Sequence, residues 1–289
     1  MFERNIRTDW RGGAAGDTFP GVVEHMDALQ ISERFTAAQA IVREAGDLAM
    51  GYFRDREALA VESKGPQDVV SEADRAVEAM ILDRIAARFP EDSVLGEETG
   101  GPQSWDGATP LWVVDPIDGT ACFVSGIPVW CVSIAFLVGR EIEIGVVYDP
   151  NADELFAARR GHGATLNGVP MRPSPAASFA EGTVGVGYSP RRAAALVVQA
   201  IAQLLAEGGM FQRNGSGALM LAYVAAGRLI GYYEAHINSW DCLAALAMIR
   251  EVDGWTNDFL AGDGLTRGNA VAAAAPGLAE AMQRLSGLT

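Results

Sequence analysis

Between Arg34 and Arg54 the apolar side chains fall at Phe35, Ala38, Ile41, Val42, Ala45, Leu48 and Ala49. That spacing of three and four marks one face of an amphipathic helix. A second helix is predicted from Ser71. There the serine can cap the free amides, and Asp74 takes the reciprocal capping-box position, where Glu or Gln is usual. Its buried stripe is Val77, Met80, Ile81 and Ile85. The run Leu111–Trp112–Val113–Val114 is short, apolar and cut off by Asp115–Pro116, which predicts a buried strand ending at Asp115.

Two further strands, Cys131 to Val138 and Glu141 to Tyr148, meet at Gly139–Arg140 as a hairpin, and Asn167–Gly168 signals another turn. Downstream, Ala193 to Leu205 reads as a strongly apolar helix and Ser216 to Ala226 as a second. Leu229 to Glu234 follows as a strand, and Trp240 to Val252 as a helix closed by Gly254. Strands and helices alternate without a regular βαβ period or an internal repeat. Mixed α/β or α+β sheets with helical layers are therefore expected, not a barrel. Residues 1–31 carry Gly12, Gly13, Gly16 and Pro20 without a period and read as a loosely ordered extension, native or an overlong translation start. A more helix-like run begins at Met26, and residues 32–289 form the domain proper.

Composition narrows the class. With 289 residues, 49% of them hydrophobic and 20% charged, the chain can bury a substantial core. Acids outnumber bases 37 to 22 for a net charge of −15, so no nucleic-acid partner is expected. No apolar run has transmembrane length, and Met1 to Pro20 lacks the apolar core of a secretory signal. Cys122, Cys131 and Cys242 are an odd set without a CxxC, which points to a reducing cytoplasm, and without a transmembrane-length run no membrane partner is expected. His25, His162 and His236 leave little for a histidine-rich zinc site or a catalytic triad.

Chemistry enters with acids at the ends of elements. Gly96–Glu97–Glu98–Thr99 follows Val94–Leu95, Asp115–Pro116–Ile117–Asp118–Gly119–Thr120 follows the strand, and Asp241 sits in the first turn of the Trp240 helix. Asp115 and Asp118, with a proline fixing the turn between them, can converge on one point. Gly119 permits close backbone approach, and Thr120 offers a hydroxyl and an amide at a helix start that suit a phosphate. An Asx turn with a capping aspartate explains the hexapeptide equally well. Glu97, Asp115, Asp118 and Asp241 in one pocket would raise each other's pKa values unless cations neutralise them. Oxygen-only donors suit Mg²⁺, and a pair of such ions can activate water and stabilise a leaving phosphate-ester oxygen.

The motifs Gly96–Glu97–Glu98, Trp112–Val113–Val114–Asp115–Pro116–Ile117–Asp118–Gly119–Thr120 and Trp240–Asp241 resemble those of the inositol monophosphatase family, over about residues 33–286. The resemblance implies a layered αβαβα sandwich of the inositol monophosphatase and fructose bisphosphatase type. It would have an α+β N-terminal lobe (about 32–178), an α/β C-terminal lobe (about 179–289) and usually a homodimer. It also implies a Mg²⁺-dependent, lithium-sensitive phosphomonoesterase, using in-line attack of metal-activated water without a phospho-enzyme. Glu97, Asp115 and the carbonyl of Ile117 would hold one magnesium, Asp115, Asp118 and Asp241 a second, and a weaker third would sit near Glu97. Asp74 and Thr120 match the pair that orients and deprotonates the water, with Glu97 also in the catalytic set and Glu98 in support. Gly119 and Thr120 amides would hold the phosphate, while Gly215, Ser216, Gly217 and Glu234, with Asp118 and Asp241, face the substrate.

The chain departs from that pattern at Ala121–Cys122 and at His236–Ser239, where His236 would either meet substrate or cap a helix. Cys242 reads as buried packing. No Walker, GxGxxG or GxSxG motif is present. Inositol monophosphate is the leading substrate, with histidinol phosphate or another small phosphate ester second. A sugar bisphosphate would need a basic cradle, for which Arg213 and Arg228 are the nearest candidates. From another class, a macromolecular binding or regulatory protein with vestigial catalysis stays open.

Overall fold

Successive residues of a strand face opposite sides, and in Leu111–Val114 both sides are fully buried. Such a strand belongs in the middle of a layered stack. The computed structural model describes residues 26–65, 68–102, 105 and 107–289, and the loose order expected of residues 1–25 lies outside them. The chain begins with α1 (Ala28–Arg54), the antiparallel pair β1 (Val61–Gly65) and β2 (Asp68–Ser71), and α2 (Glu72–Arg88). Next come β3 (Ser93–Gly96), β4 (Leu111–Asp118) and the short α3 (Thr120–Val124). Strands β5 (Cys131–Val138), β6 (Glu141–Asp149), β7 (Glu154–Arg159), β8 (Ala164–Leu166) and β9 (Val169–Pro170) complete a seven-stranded sheet in sequence order from β3 to β9.

The rest of the chain builds a second sheet. It contains β10 (Thr183–Val186), α4 (Ala194–Ala206), β11 (Met210–Gln212), α5 (Gly217–Ala225), β12 (Gly231–Ile237) and α6 (Leu243–Glu251). It closes with β13 (Trp255–Thr256), α7 (Gly264–Arg267), β14 (Asn269–Ala274) and α8 (Ala279–Ser286). The order in this five-stranded sheet is β11-β10-β12-β14-β13. Side-chain alternation assigns the layers. Trp112, Val114, Val132 and Ile134 pack against α1 and α2. Leu111, Val113, Cys131 and Ala135 pack against α5 and α6, which meet Tyr232 and Ala273 of the second sheet. Tyr233 and Ala272 face α4 and α8 on the far side. The fold is thus the αβαβα sandwich expected.

Several boundaries differ from the sequence reading. α1 starts at Ala28, inside the expected extension, because Asp27 and Gln30 form a reciprocal capping box. β4 runs past Asp115 to Asp118. Asp115 pairs with Ser133 and Asp118 with Cys131, so this stretch holds one residue more than its partner. That is a β-bulge, and Pro116, with no N–H to donate, is tolerated there. α6 starts at Leu243, so Asp241 lies in the turn before the helix and not in its first turn. α4 forms as expected, but it buries only Ala200 and Leu204 and leaves Leu196, Val198 and Leu205 exposed.

One buried ion pair ties the first layer down. Arg34 makes two 2.8 Å hydrogen bonds to Asp92, which also accepts from Trp112 Nε1 at 2.9 Å. The guanidinium lies 4.4 Å from the centre of the Phe89 ring. Removing one member of a buried pair strands the other charge. Arg34→Ala should therefore cost about 3–5 kcal/mol in denaturant unfolding; a loss below about 1 kcal/mol, the exposed-pair range, would contradict this role.

Candidate active site

In a regular strand residues three apart point to opposite faces, so Asp115 and Asp118 could not share a site. The extra residue of the bulge re-phases β4 and turns both toward the α5–α6 layer. Carboxylate oxygens of Asp115, Asp118 and Asp241 lie within 4.8 Å of one another. Asp115 Oδ1 accepts from the Ile117 amide at 3.0 Å, so the Asx turn and the converging pair coexist. The Ile117 side chain is fully buried on the opposite face. Gly119 has φ +102°, and a Cβ there would come 2.9 Å from the Val129 carbonyl oxygen. Only glycine fits that turn.

Asp118 is held from across the sandwich. Its Oδ2 accepts from Ser216 Oγ at 2.5 Å and from the Ala218 amide at 2.7 Å, and its Oδ1 from the Gly217 amide at 3.3 Å. The N-terminus of α5 is a favourable place for that negative charge. Asp241 Oδ2 accepts from the Asn238 amide at 3.0 Å and from Asn238 Nδ2 at 3.3 Å. Glu97 stands outside the tight trio, yet it lines the same cavity.

Crowding shows in the protonation of these groups. Burial, and then the charges of Glu97, Asp118 and Asp241, hold the Asp115 carboxyl well above its usual range. Asp118 is pushed up to about 7, first by burial and then by Asp241, against the bonds from Ser216, Ala218 and Gly217. Asp241 is raised by burial, partly offset by hydrogen bonds from Asp115 and Asn238 and by the charge of Arg191. A buried, oxygen-only, mutually repelling set is the donor chemistry that a hard divalent cation satisfies, so Mg²⁺ fits these residues.

Asp74 is fully buried near the start of α2. Its Oδ2 accepts from the Ser71 amide (2.8 Å) and hydroxyl (2.6 Å), and its Oδ1 lies 2.9 Å from Thr120 Oγ1. Burial raises the Asp74 pKa against those hydrogen bonds. Thr120 Oγ1 is also 3.0 Å from the Ile117 carbonyl, and its single proton serves one acceptor at a time.

A cavity of about 550 Å³ opens beside the trio, lined by Glu97, Asp118 and Asp241 and by Gly215, Gly217 and Glu234. Ser216 is fully buried and spends its hydroxyl on Asp118. Glu234 accepts from Tyr232 Oη at 2.6 Å, and its pKa rises to about 8, chiefly through burial. His236 lies within β12 and does not cap α6; its Nε2 is 2.9 Å from the carbonyl of Arg267, the last residue of α7, and it also lines the cavity. Cys122 Sγ reaches the Asn214 carbonyl at 3.4 Å, joining α3 to the loop before α5. Cys242 is buried packing, as expected. Arg213 lines the cavity, but Arg228 is paired with Glu154 at 2.5 Å and does not.

Sequence reasoning missed Tyr188 and Arg191 in the cavity wall and Glu78 beneath the Glu97 loop, whereas Asn238 and Trp240 of that wall lie in the stretches it had marked. Tyr188 and Arg191 belong to the loop after β10, which carries no motif. Glu78 did carry a signal, because it lies four residues after Asp74 and within the stripe of Val77 and Ile81.

The Nus factor SuhB of Escherichia coli K12 is 38% identical to this chain over 234 residues, 80% of this chain and 87% of that protein. Among solved structures, the extragenic suppressor protein SuhB of Bartonella henselae superposes with a TM-score of 0.81 at 31% identity, covering 88% of this chain and 98% of that one. An inositol monophosphatase of Thermotoga maritima gives 0.77 at 30% identity, covering 88% and 97%. The profile of the inositol monophosphatase family matches residues 30–286, and the chain belongs to that family.

Proposed function

We propose that the chain is a Mg²⁺-dependent phosphomonoesterase that hydrolyses inositol monophosphate to inositol and phosphate. The observation that carries this is the trio Asp115, Asp118 and Asp241, of which Asp118 and Asp241 line a cavity, with β4 carrying Asp115 and Asp118 on to Thr120 and its partner Asp74. Glu97, Asp115, Asp118, Asp241 and the Ile117 carbonyl would hold two ions, with a third, weaker one near Glu97 supported by Glu98. Bound there, Mg²⁺ supplies charge neutralisation of the phosphate and activation of water. Asp74 Oδ1 and Thr120 Oγ1 orient the attacking water, and Asp74 accepts its proton. The Gly119 and Thr120 amides hold the phosphate. Glu234 accepts hydrogen bonds from polyol hydroxyls, helped by the walls at Gly215 and Gly217.

Substrate identity rests on the cavity. An inositol monophosphatase of Staphylococcus aureus, 27% identical with a TM-score of 0.71, is known bound to inositol monophosphate, and another of its structures holds 2′-AMP. Histidinol phosphate or another small ester on the same machinery is the alternative. A homodimer in the cytoplasm completes this reading, with light scattering expected to give twice the 30.6 kDa chain mass. Among the described residues no helix is long and apolar enough to cross a membrane. A second reading follows from the relatives named as Nus factors, namely a macromolecular binding role. A partner captured equally by wild type and by the inactive Asp115→Asn variant would favour it.

Phosphate release with Mg²⁺ should favour inositol 1-phosphate over histidinol phosphate, phosphoadenosine phosphate and fructose 1,6-bisphosphate by roughly tenfold in kcat/KM, about 1.4 kcal/mol. A reversed order would rename the substrate. Asp118→Asn should lose about 100-fold or more of turnover while remaining folded; full activity would remove Asp118 from the metal set. Li⁺ should inhibit in competition with Mg²⁺.

Asp118 carries a raised pKa in the folded chain, so folding binds its proton and that stabilisation fades as pH rises from about 4 through about 7. In chelator, the Tm should therefore fall between pH about 5 and about 8. Added Mg²⁺ should raise it most at the higher pH, where the carboxylates are ionised. A Mg²⁺ effect that is larger at the acid end would contradict the assignment.

A further inference from the structure

Glu78 is a carboxylate with no exposed surface, in the middle of α2. Its Oε2 accepts from the Glu98 amide at 2.9 Å and its Oε1 from the Thr99 amide at 2.7 Å. The rest of that loop is also tied. Gly96 and Gly100 exchange amide-to-carbonyl bonds of 2.9 and 3.0 Å, and the Glu97 amide donates to the Val114 carbonyl at 3.2 Å. A Cβ on Gly96 would come within 2.6 Å of the Glu78 carboxylate, so glycine is what lets the helix acid reach under the loop. Every backbone amide from Gly96 to Gly100 therefore has its partner, and Glu78 supplies the ones that no carbonyl does.

We propose that Glu78 is a positioning residue that sets the Glu97 carboxylate for a divalent cation by clamping the amides that follow it. The inference rests on reading the carboxylate cluster as a Mg²⁺ site. Charge-assisted bonds from two amides are stronger and more directional than neutral ones. Groups that orient a metal ligand without touching the ion change metal affinity by about 10–100-fold when removed. Asp74 lies one helical turn before Glu78, so a single rigid helix fixes both the Asp74–Thr120 pair and the Glu97 loop.

Glu78→Gln keeps the shape but turns an NH₂ toward one of the two amides, and Gly96→Ala displaces the carboxylate from the loop side. In chelator, wild-type Glu98 and Thr99 amides should exchange as slowly as those of α2, and about tenfold faster in E78Q. Calorimetric titration with Mg²⁺ alone should give a dissociation constant about tenfold weaker in both variants. A merely structural role would lower Tm and leave that constant within twofold of wild type, which overturns the proposal. Unprotected amides in the wild type overturn it without any variant, so it stays testable even if E78Q fails to fold. If wild type itself binds no Mg²⁺, the metal reading falls and this proposal with it. Wild-type affinity in E78Q removes only the positioning role.

Discussion

One inserted residue in β4 governs the site. Without it, Asp115 would face α5 and α6 while Asp118 would face α1 and α2, on opposite sides of a sheet that is buried on both. Alternation up to Asp115 puts Trp112 and Val114 on the α1–α2 side and Leu111, Val113 and Asp115 on the other, and the bulge that follows buries Ile117 with the former and brings Asp118 round to the latter. Proline helps fix this arrangement. A regular strand at Pro116 would lose a ladder bond, whereas a bulge leaves that position unpaired in any case. The bulge thus converts a motif that alternation would scatter into a convergent pair.

Convergence creates a repulsion that the neighbouring layers must restrain. α5 meets Asp118 with the Ser216 hydroxyl and two amides, and the turn before α6 holds Asp241 through Asn238. α2 supplies Asp74 from the opposite layer. Three layers therefore meet at the bulge, and moving any one of them would misplace a carboxylate. The Arg34–Asp92 pair sits at the far end of this arrangement, joining α1 to the start of β3 and to Trp112 of β4.

The long helices and the hairpin strands were legible because their apolar periods run over many residues. α1, α2 and the β5–β6 pair needed only that pattern. β14 and α8 were not read from the sequence. The strand Asn269–Ala274 is alanine-rich, and alanine is the strongest helix former, so local preference argues against the strand that pairing with β12 imposes. The carboxylate motifs were legible as types and spacing, but the bulge was not. A proline after an apolar run signals an end, and only pairing with β5 shows that the strand continues through it. α4 was legible as a helix and misleading as core, because an apolar run does not say which side of it is covered.

The carboxylate end and the rest of the cavity wall differ in how sequence encodes them. The clustered carboxylates stand at fixed steps along one strand and one turn, so their code is short and local. The rest of the cavity wall draws on Tyr188, Arg191, Arg213, Glu234 and His236, from loops and a strand far apart in the chain. No spacing rule links them. What joins them is the parallel pairing of β10 with β12 and β11, which brings the loop after Val186 and the loop after Gln212 to the same edge as Glu234. Glu234 and Arg213 carry opposite charge preferences, for hydroxyl or cationic donors and for anionic groups respectively. On the proposed phosphatase reading, discrimination among small phosphate esters would depend on how a ligand divides its polar groups between Glu234 and Arg213. On the same reading, the carboxylate end could stay constant while changes in these loop residues altered the substrate.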